Sequence, residues 1–556
     1  MVVVEIISLP YNNTVDVGVS IFKILIISVL LRWYIYFQTP TYVGTDPWYH
    51  STIISEILKF GYLPINYSYT KYPIIHILIS MGSIITSINI KNSMILTVGI
   101  FEIVSLIYIQ LVGNFVSSKR NGLLATLLVG VSGYHISWGY YIIPMSLGLG
   151  FFTLIFYLSV KKGLLGLFTK NHAQETCNLI QSNTASLPFL SDLIKNSHSL
   201  PKKETSQKLL FTLLVLLIVF LIILTHTIST TITLLFISIS YFTSLIYQRF
   251  VKNDVDTSFS SLSLVLIMFT SSIGYWMYTS GFLGYIILSI KSAFMISEID
   301  PVVASPILVS PIERQLNRIE LLSFLGFTII GSMFWILNEN LKYIKLVLVV
   351  TGASVISIMF TCIFIGIDSI LPDRWYAFLY VIIANIASVG IFYLASSFDK
   401  RSFKIFSLLI IVSLFTLFAI TGSAANTGSA YYAQEKIRNS LTESEFISFN
   451  TLSTIHNKNV YSDGYSNNYF RYVTESKTVD ISSNFGVFND KDGLLVLRVP
   501  YLMGSLIQVP ILDNKEVGYS STYSEFNLDL YILNNDNISK IYDSFDVQGY
   551  IKCQCG

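Results

Sequence analysis

Long apolar runs alternate with short polar stretches through the first 422 residues, and each run predicts a helix that crosses a membrane. Hydrocarbon offers a bare backbone no hydrogen-bond partner, so only a self-satisfied helix can sit there. Runs near 18–38, 93–116, 121–137, 141–160, 209–227, 229–248, 260–280, 320–338, 344–366, 375–397 and 405–422 give about eleven spans. The first follows Glu5 and Asp16 rather than a Lys/Arg cluster, and no small-residue cleavage site follows it, so it reads as an anchor. The segment Pro73 to Ile90 is long enough to cross, but we expect it to dip into the outer leaflet. Residues 161–208 are polar and without periodicity, which predicts a partly disordered cytoplasmic loop. After residue 422 the pattern changes. Short runs such as Gly493 to Val499 and Leu528 to Leu533, separated by Asn, Asp and Gly clusters, predict strands of a mixed α/β unit. The expected fold class is a polytopic all-α membrane domain, residues 1–422, followed by a C-terminal extracytoplasmic α/β domain, residues 423–556. The membrane domain carries a first outer loop at 39–92, the cytoplasmic loop 161–208 and an outer loop at 281–318.

Composition agrees with the pattern: 53% of the 556 residues are apolar, 12% are charged and the mean hydropathy is +0.62, which excludes a soluble globular protein. The net charge of +2 singles out no partner, and nucleic acid is not expected as one. The placement of the basic residues is more informative. Lys119 and Arg120, Lys161 to Lys208, Arg249 and Lys252, Lys342 and Lys345, and Lys400, Arg401 and Lys404 gather at alternate loops. The positive-inside rule puts those loops in the cytoplasm and the loops at 281–318 and 367–374, with the tail, outside; residues 1–17 carry no Lys or Arg, so the loop at 39–92 joins them through the expected dip of Pro73 to Ile90 rather than through charge. Of the four cysteines, Cys553 and Cys555 form a lone pair at the C-terminus, too few for a structural zinc site.

Candidate chemistry concentrates just beyond the first span, in Gly44-Thr45-Asp46-Pro47-Trp48-Tyr49-His50. Asp46 as N-cap and Pro47 at the first helical position would start a helix whose apolar stripe runs through Trp48, Ile53, Ile54 and Ile57. An interfacial helix with an acidic cap and an aromatic belt explains those residues without any chemistry. His50 one turn from Asp46, and Tyr72-Pro73-Ile74-Ile75-His76 at the far end of the loop, add groups that could bind substrate, take a proton or hold a metal.

This order of elements resembles the first external loop of the GT-C superfamily of polytopic glycosyltransferases, most of all the archaeal and eukaryotic oligosaccharyltransferase catalytic subunits. The resemblance implies transfer of a sugar or oligosaccharide from a polyprenyl (dolichyl) phosphate or pyrophosphate carrier to an acceptor, with Asp46 as the catalytic or metal-binding carboxylate. It also implies a juxtamembrane helix, not a crossing, over Pro73 to Ile90. Phe294-Met295-Ile296-Ser297-Glu298 is similar to the short motif whose Glu lies beside the acceptor Asn, which assigns Glu298 a catalytic role. Leu371-Pro372-Asp373-Arg374 resembles the point where an Arg meets the carrier phosphate, although snorkelling or pairing with Asp373 also accounts for Arg374. Asp463, in Val460-Tyr461-Ser462-Asp463-Gly464-Tyr465, falls where the acceptor motif is expected, without that motif's tryptophans.

In the second outer loop, residues 132–141, no carboxylate is present, and His135 is the one candidate metal ligand to join Asp46. Hard cations want several oxygen ligands, so Mg or Mn dependence and metal-free chemistry both stay open. Three functions follow as expectations: transfer from the lipid carrier to a protein; extension of a lipid-linked glycan from a polyprenyl-monophosphate sugar; and a non-catalytic transporter or glycan-assembly scaffold. Against transport, the spans show few carboxylates. A multi-pass location in the cell membrane is common to all three.

Overall fold

The computed structural model describes residues 2–8, 14–161, 202–251, 262–294, 318–337, 343–364, 374–421, 440–455, 459–474, 476–480, 493–498, 509–513, 516–520, 538–544 and 546–552. Nine helices among them are long and apolar enough to cross a membrane, lying within Asp16–Gln38, Ile90–Val116, Pro144–Lys161, Thr227–Tyr247, Leu262–Ser280, Ile319–Leu337, Tyr343–Cys362, Trp375–Ser396 and Ser402–Ile420. In chain order the membrane domain comprises α1 (Val2–Ser8), α2 (Thr14–Gln38), α3 (Asp46–Phe60), α4 (Ile74–Thr86), α5 (Ile90–Val116, with a π turn at Ile95–Gly99), α6 (Lys119–Val131), α7 (Gly133–Tyr140) and α8 (Pro144–Lys161). These are followed by α9 (Lys202–Ile223), α10 (Thr227–Val251), α11 (Leu262–Tyr275), α12 (Phe282–Phe294), α13 (Ile319–Leu337), α14 (Tyr343–Phe364), α15 (Trp375–Ser396) and α16 (Arg401–Thr421).

Two expected spans are shorter than the pattern suggested. The run at 121–137 is cut at Ser132, whose extended backbone (φ −67°, ψ 138°) ends α6 and starts the short helix α7. In the run at 209–227, the apolar helix among the described residues is Leu210–Ile223. The helix α4 has 13 residues, a length of roughly 20 Å against a hydrocarbon core of about 30 Å. It buries Ile75, His76 and Ile79 and turns Met81, Ile84 and Ile85 outward, as a helix lying at the interface does.

Helix α15 is the axis of the bundle. It is buried along nearly its whole length and packs against α6, α13, α14 and α16. Gly331 on α13 and Gly390 on α15 meet backbone to backbone, so a side chain at either would overlap the other helix. Around this core, large apolar side chains such as Phe22, Leu30, Leu210, Phe269, Ile329 and Phe406 point outward, the inversion expected of a surface facing lipid.

The C-terminal part contains α17 (Glu443–Ile455), β1 (Asn459–Ser462), α18 (Gly464–Tyr472), β2 (Lys477–Asp480), β3 (Gly493–Arg498), β4 (Val509–Asp513), β5 (Glu516–Ser520), β6 (Ile538–Asp543) and β7 (Val547–Lys552). Five strands form one sheet in the order β2-β1-β3-β7-β6, with β1 parallel to β2 and β3 and the β3-β7-β6 edge antiparallel, while β4 and β5 form a separate hairpin. The strand expected over Gly493 to Val499 is β3, and the one expected over Leu528 to Leu533 lies outside the described residues. The domain's core does not close on itself alone. Trp48 of α3 inserts into it beside Phe449, Tyr465, Tyr469 and Phe470, donating from Nε1 to Tyr465 Oη at 3.5 Å, and Tyr465 Oη donates to Tyr42 O at 2.6 Å. The first loop and the α/β domain therefore lie on the same side of the bundle.

Candidate active site

Thr45, with a helical backbone (φ −82°, ψ −44°) and no side-chain hydrogen bond that caps the helix, occupies the N-cap position of α3, and Asp46 is the first helical residue. Asp46 was expected to cap the helix with its carboxylate. Instead its side chain faces outward, 34% exposed, with Oδ2 4.0 Å from Arg374 Nη2, while Arg374 is 25% exposed. The two come together from distant parts of the chain because α3 and the start of α15 share one end of the bundle. Arg374 stands at the N-cap of α15, where the unpaired N–H groups and helix dipole add to its positive charge.

Helix α7 supplies the floor. The Arg374 guanidinium lies 5.8 Å over the Trp138 ring, and Tyr141 Oη accepts from the Asp46 backbone N–H at 3.4 Å. Gly44 (φ +85°) makes this approach possible, since a β-carbon there would occupy the Tyr141 ring. Tyr69 lies close enough to feel both charges: burial and then Asp46 push its phenol up, and Arg374 partly offsets them. Behind Asp46, His50 Nδ1 and His76 Nε2 share a hydrogen bond at 3.0 Å, and the Tyr69 ring stands edge-on to His50 at 4.9 Å. Burial, then His76 and His226, hold His50 well below the ordinary histidine range, and burial brings His76 to about 4. Both rings are thus neutral at pH 7 and fix the base of α3 against α4. Tyr72 packs edge-on against Tyr275 at 5.9 Å.

Beneath the floor lies a network that the sequence reading passed over. Arg32 of α2 donates from Nε to Glu102 Oε2 of α5 at 3.1 Å, and from Nη1 to Ser28 O at 3.1 Å and Gly130 O at 2.8 Å. His135 of α7 joins through Nδ1, in contact with Glu102 Oε1 and 2.9 Å from Arg32 Nη2, and all three side chains are fully buried. Gly139 leaves the space that Arg32 fills. At the start of α7, Gly133 N–H donates to the buried Glu320 of α13 at 2.9 Å. Glu102 and Glu320 are therefore buried carboxylates inside spans, contrary to the expectation that the spans carry almost none. A charge within an apolar run was their signal in the sequence. Trp138 and Tyr141 had no comparable signal, because aromatics abound in this chain.

The other expected site residues fall elsewhere. Asp463 is the N-cap of α18 and is buried. Its Oδ1 accepts from Tyr465 N, Ser466 N and Arg498 Nη2, and its Oδ2 accepts from Arg498 Nε and Ser466 Oγ, so both oxygens are occupied within the domain. Glu298 and Asp373 lie outside the described residues. A divalent ion finds no ready donor set: among the described residues no three His, Cys, Asp or Glu side chains converge to hold one. Asp46 faces a cation and His135 faces Glu102, so the expected pairing of Asp46 with His135 around Mg or Mn does not fit these positions.

No protein-family model matches the sequence, and no curated protein does. Solved structures do match. The oligosaccharyltransferase of Archaeoglobus fulgidus, in a complex with Zn and sulfate, is 12% identical with a TM-score of 0.51, over 94% of this chain and 78% of that one. The same enzyme with an inhibitory peptide and a dolichol-phosphate gives 12% identity and a TM-score of 0.50, over 94% and 79%. ArnT from Cupriavidus metallidurans, bound to undecaprenyl phosphate, is 9% identical with a TM-score of 0.48, over 97% and 98%. With its helical membrane bundle and C-terminal sheet domain, this chain has the GT-C fold of integral-membrane glycosyltransferases.

Proposed function

We propose that the protein transfers a sugar or oligosaccharide from a polyprenyl phosphate or pyrophosphate carrier to an acceptor, most simply a protein, on the extracytoplasmic face of the cell membrane. The observation that carries this reading is the Asp46–Arg374 pair: two opposite charges, both partly open to solvent, held 4.0 Å apart at the end of a membrane bundle. That spacing is loose enough for each to take its own ligand. Arg374, at the head of α15, binds the carrier phosphate. Two residues on, Tyr376 lies in an apolar wall with Leu325, Ile356, Met359, Phe360 and Leu379, a surface that suits an isoprenoid chain lying against the outside of the bundle. Asp46 accepts the proton of the acceptor hydroxyl or amide as the acceptor atom bonds to the anomeric carbon. The bond from that carbon to the carrier phosphate breaks, the phosphate leaves on Arg374, and attack from the opposite face inverts the anomeric centre. Tyr69 offers an aromatic surface on which a sugar ring stacks, and the role of Glu298 towards the acceptor rests on the sequence motif alone.

A second reading, extension of a lipid-linked glycan from a polyprenyl-monophosphate sugar, is favoured by the lack of an assembled donor set for a metal among the described residues. One assay separates the two. Membranes carrying wild type or Asp46→Asn are given extracted radiolabelled polyprenyl-linked donors, with sequon peptide or lipid-linked glycan as acceptor, with and without EDTA. Labelled peptide that disappears with Asp46→Asn supports the first reading, and EDTA-resistant labelling of glycan alone supports the second. Labelling that survives Asp46→Asn removes Asp46 from the chemistry, and no labelling of either acceptor by the wild type returns the chain to the transporter or scaffold class.

A further inference from the structure

The opposite end of the axial helix holds a second polar site. Helix α15 has 22 residues, so its last turn lies roughly 33 Å from Arg374, at the far interface of a bilayer. There a cavity of about 320 Å³ opens between α6, α15 and α16, lined by Arg120, Phe392, Ala395, Ser396, Lys404, Ile405 and Leu408. Its volume is in the range of small-ligand sites. Arg120 and Lys404 are half-buried in its wall, and each stands in the first turn of a helix, α6 and α16, where the dipole also favours an anion. Among the described residues, the surrounding turns carry Lys119 and Lys400 beside the carboxylate of Asp399. Between the two cations Phe392, Ala395, Ile405 and Leu408 make an apolar stretch of wall beside Ser396, and the outer flank of α16 exposes Phe403, Phe406, Ile410 and Leu414, so the cavity opens beside acyl chains rather than into water alone.

We propose that this cavity binds the phosphate headgroup of an anionic phospholipid from the leaflet opposite the Asp46 site. Arg120 and Lys404 grip the headgroup, and its acyl chain lies against Phe392, Ile405 and Leu408. Paired cations between helix ends with apolar walls suit a lipid of net negative charge, and a zwitterionic headgroup gains less from them. The site is independent of the transfer chemistry, since it shares no residue with it.

The full-length protein, purified in detergent, is titrated with phosphatidylglycerol, phosphatidylcholine or inorganic phosphate, with bound lipid counted by native mass spectrometry. Phosphatidylglycerol should be retained in preference to phosphatidylcholine. Lys404→Gln should weaken its binding about fivefold, and Arg120→Gln with Lys404→Gln about 25-fold, on the order of one surface charge–lipid interaction per cation. Lys161→Gln, a basic residue outside the cavity, should leave binding unchanged. Should the double variant fail to elute as folded protein, Lys404→Gln carries the test alone, because its half-exposed side chain can be shortened without opening the core. Equal retention of the two lipids, binding indifferent to Lys404→Gln, or inorganic phosphate competing as well as phosphatidylglycerol would each overturn the proposal.

Discussion

Two Arg–carboxylate pairs on the same side of the bundle illustrate opposite uses of the same chemistry. In the α/β domain, Asp463 and Arg498 are 5% and 2% exposed and joined by two hydrogen bonds of 2.9 and 3.1 Å, and the carboxylate is further saturated by the turn that starts α18. Arg498 and these hydrogen bonds outweigh burial and hold the Asp463 carboxyl below the usual carboxylate range. At the mouth of the bundle, Asp46 and Arg374 are 34% and 25% exposed and separated by 4.0 Å. The first pair has no capacity left for a ligand, and the second has not used its own. Saturation distinguishes a pair committed to architecture from one still able to take a ligand better than charge or position in the chain does. The Arg32–Glu102–His135 network belongs with the first kind. It ties α7 to α2 and α5 through His135 and Gly139, and Trp138 of the same helix lies beside Arg374.

Substitutions should therefore separate stability from activity. The largest effect on turnover is expected from Asp46→Asn, a loss of about 10²- to 10⁴-fold in transfer, as for removal of a general base, with the thermal unfolding midpoint unchanged. Asp463→Asn should do the reverse. Removing the Asp463 charge from buried Arg498, which keeps Glu445 near it, costs about 3 kcal/mol, read as a fall in unfolding temperature, while activity per folded molecule is kept. Asp463→Asn protein of normal stability but lost transfer would break the comparison and return Asp463 to the acceptor site. Arg374→Lys should raise the KM for the polyprenyl-linked donor about tenfold or more through loss of fork geometry, with a smaller change in kcat. Trp48→Ala, which empties the joint between α3 and the α/β domain, should destabilise by about 3–5 kcal/mol and make that domain more susceptible to limited proteolysis.

The smallest effect is the pH response of the His50–His76 pair. Its folded-state pKa values lie below the unfolded value of 6.5, at about 4 for His76, so the unfolded chain binds the extra protons in that window. Stability is complete above about pH 6.5 and should fall as the pH drops towards about 4. Thermal unfolding of wild type against His76→Gln across that range checks the sign, since the variant should show the shallower slope.

The apolar runs determined much of the molecule by themselves. Spans, the switch to a strand-forming tail and the helix after Gly44 follow from local pattern, because a membrane helix must be apolar along its own length and a strand must alternate or be buried. Asp46 and Arg374 could each be proposed from the residues around them. Only the tertiary structure decided that they face each other, since 328 positions of chain separate them and no local pattern encodes which helix ends meet. Folding likewise turned His135 inward to Glu102, spent Asp463 on Arg498, cut the run at 121–137 at Ser132, and placed Trp48 in the core of the α/β domain. Each of these outcomes depends on which distant partner satisfies a buried polar or aromatic group, and that partner is chosen by packing rather than by sequence neighbours.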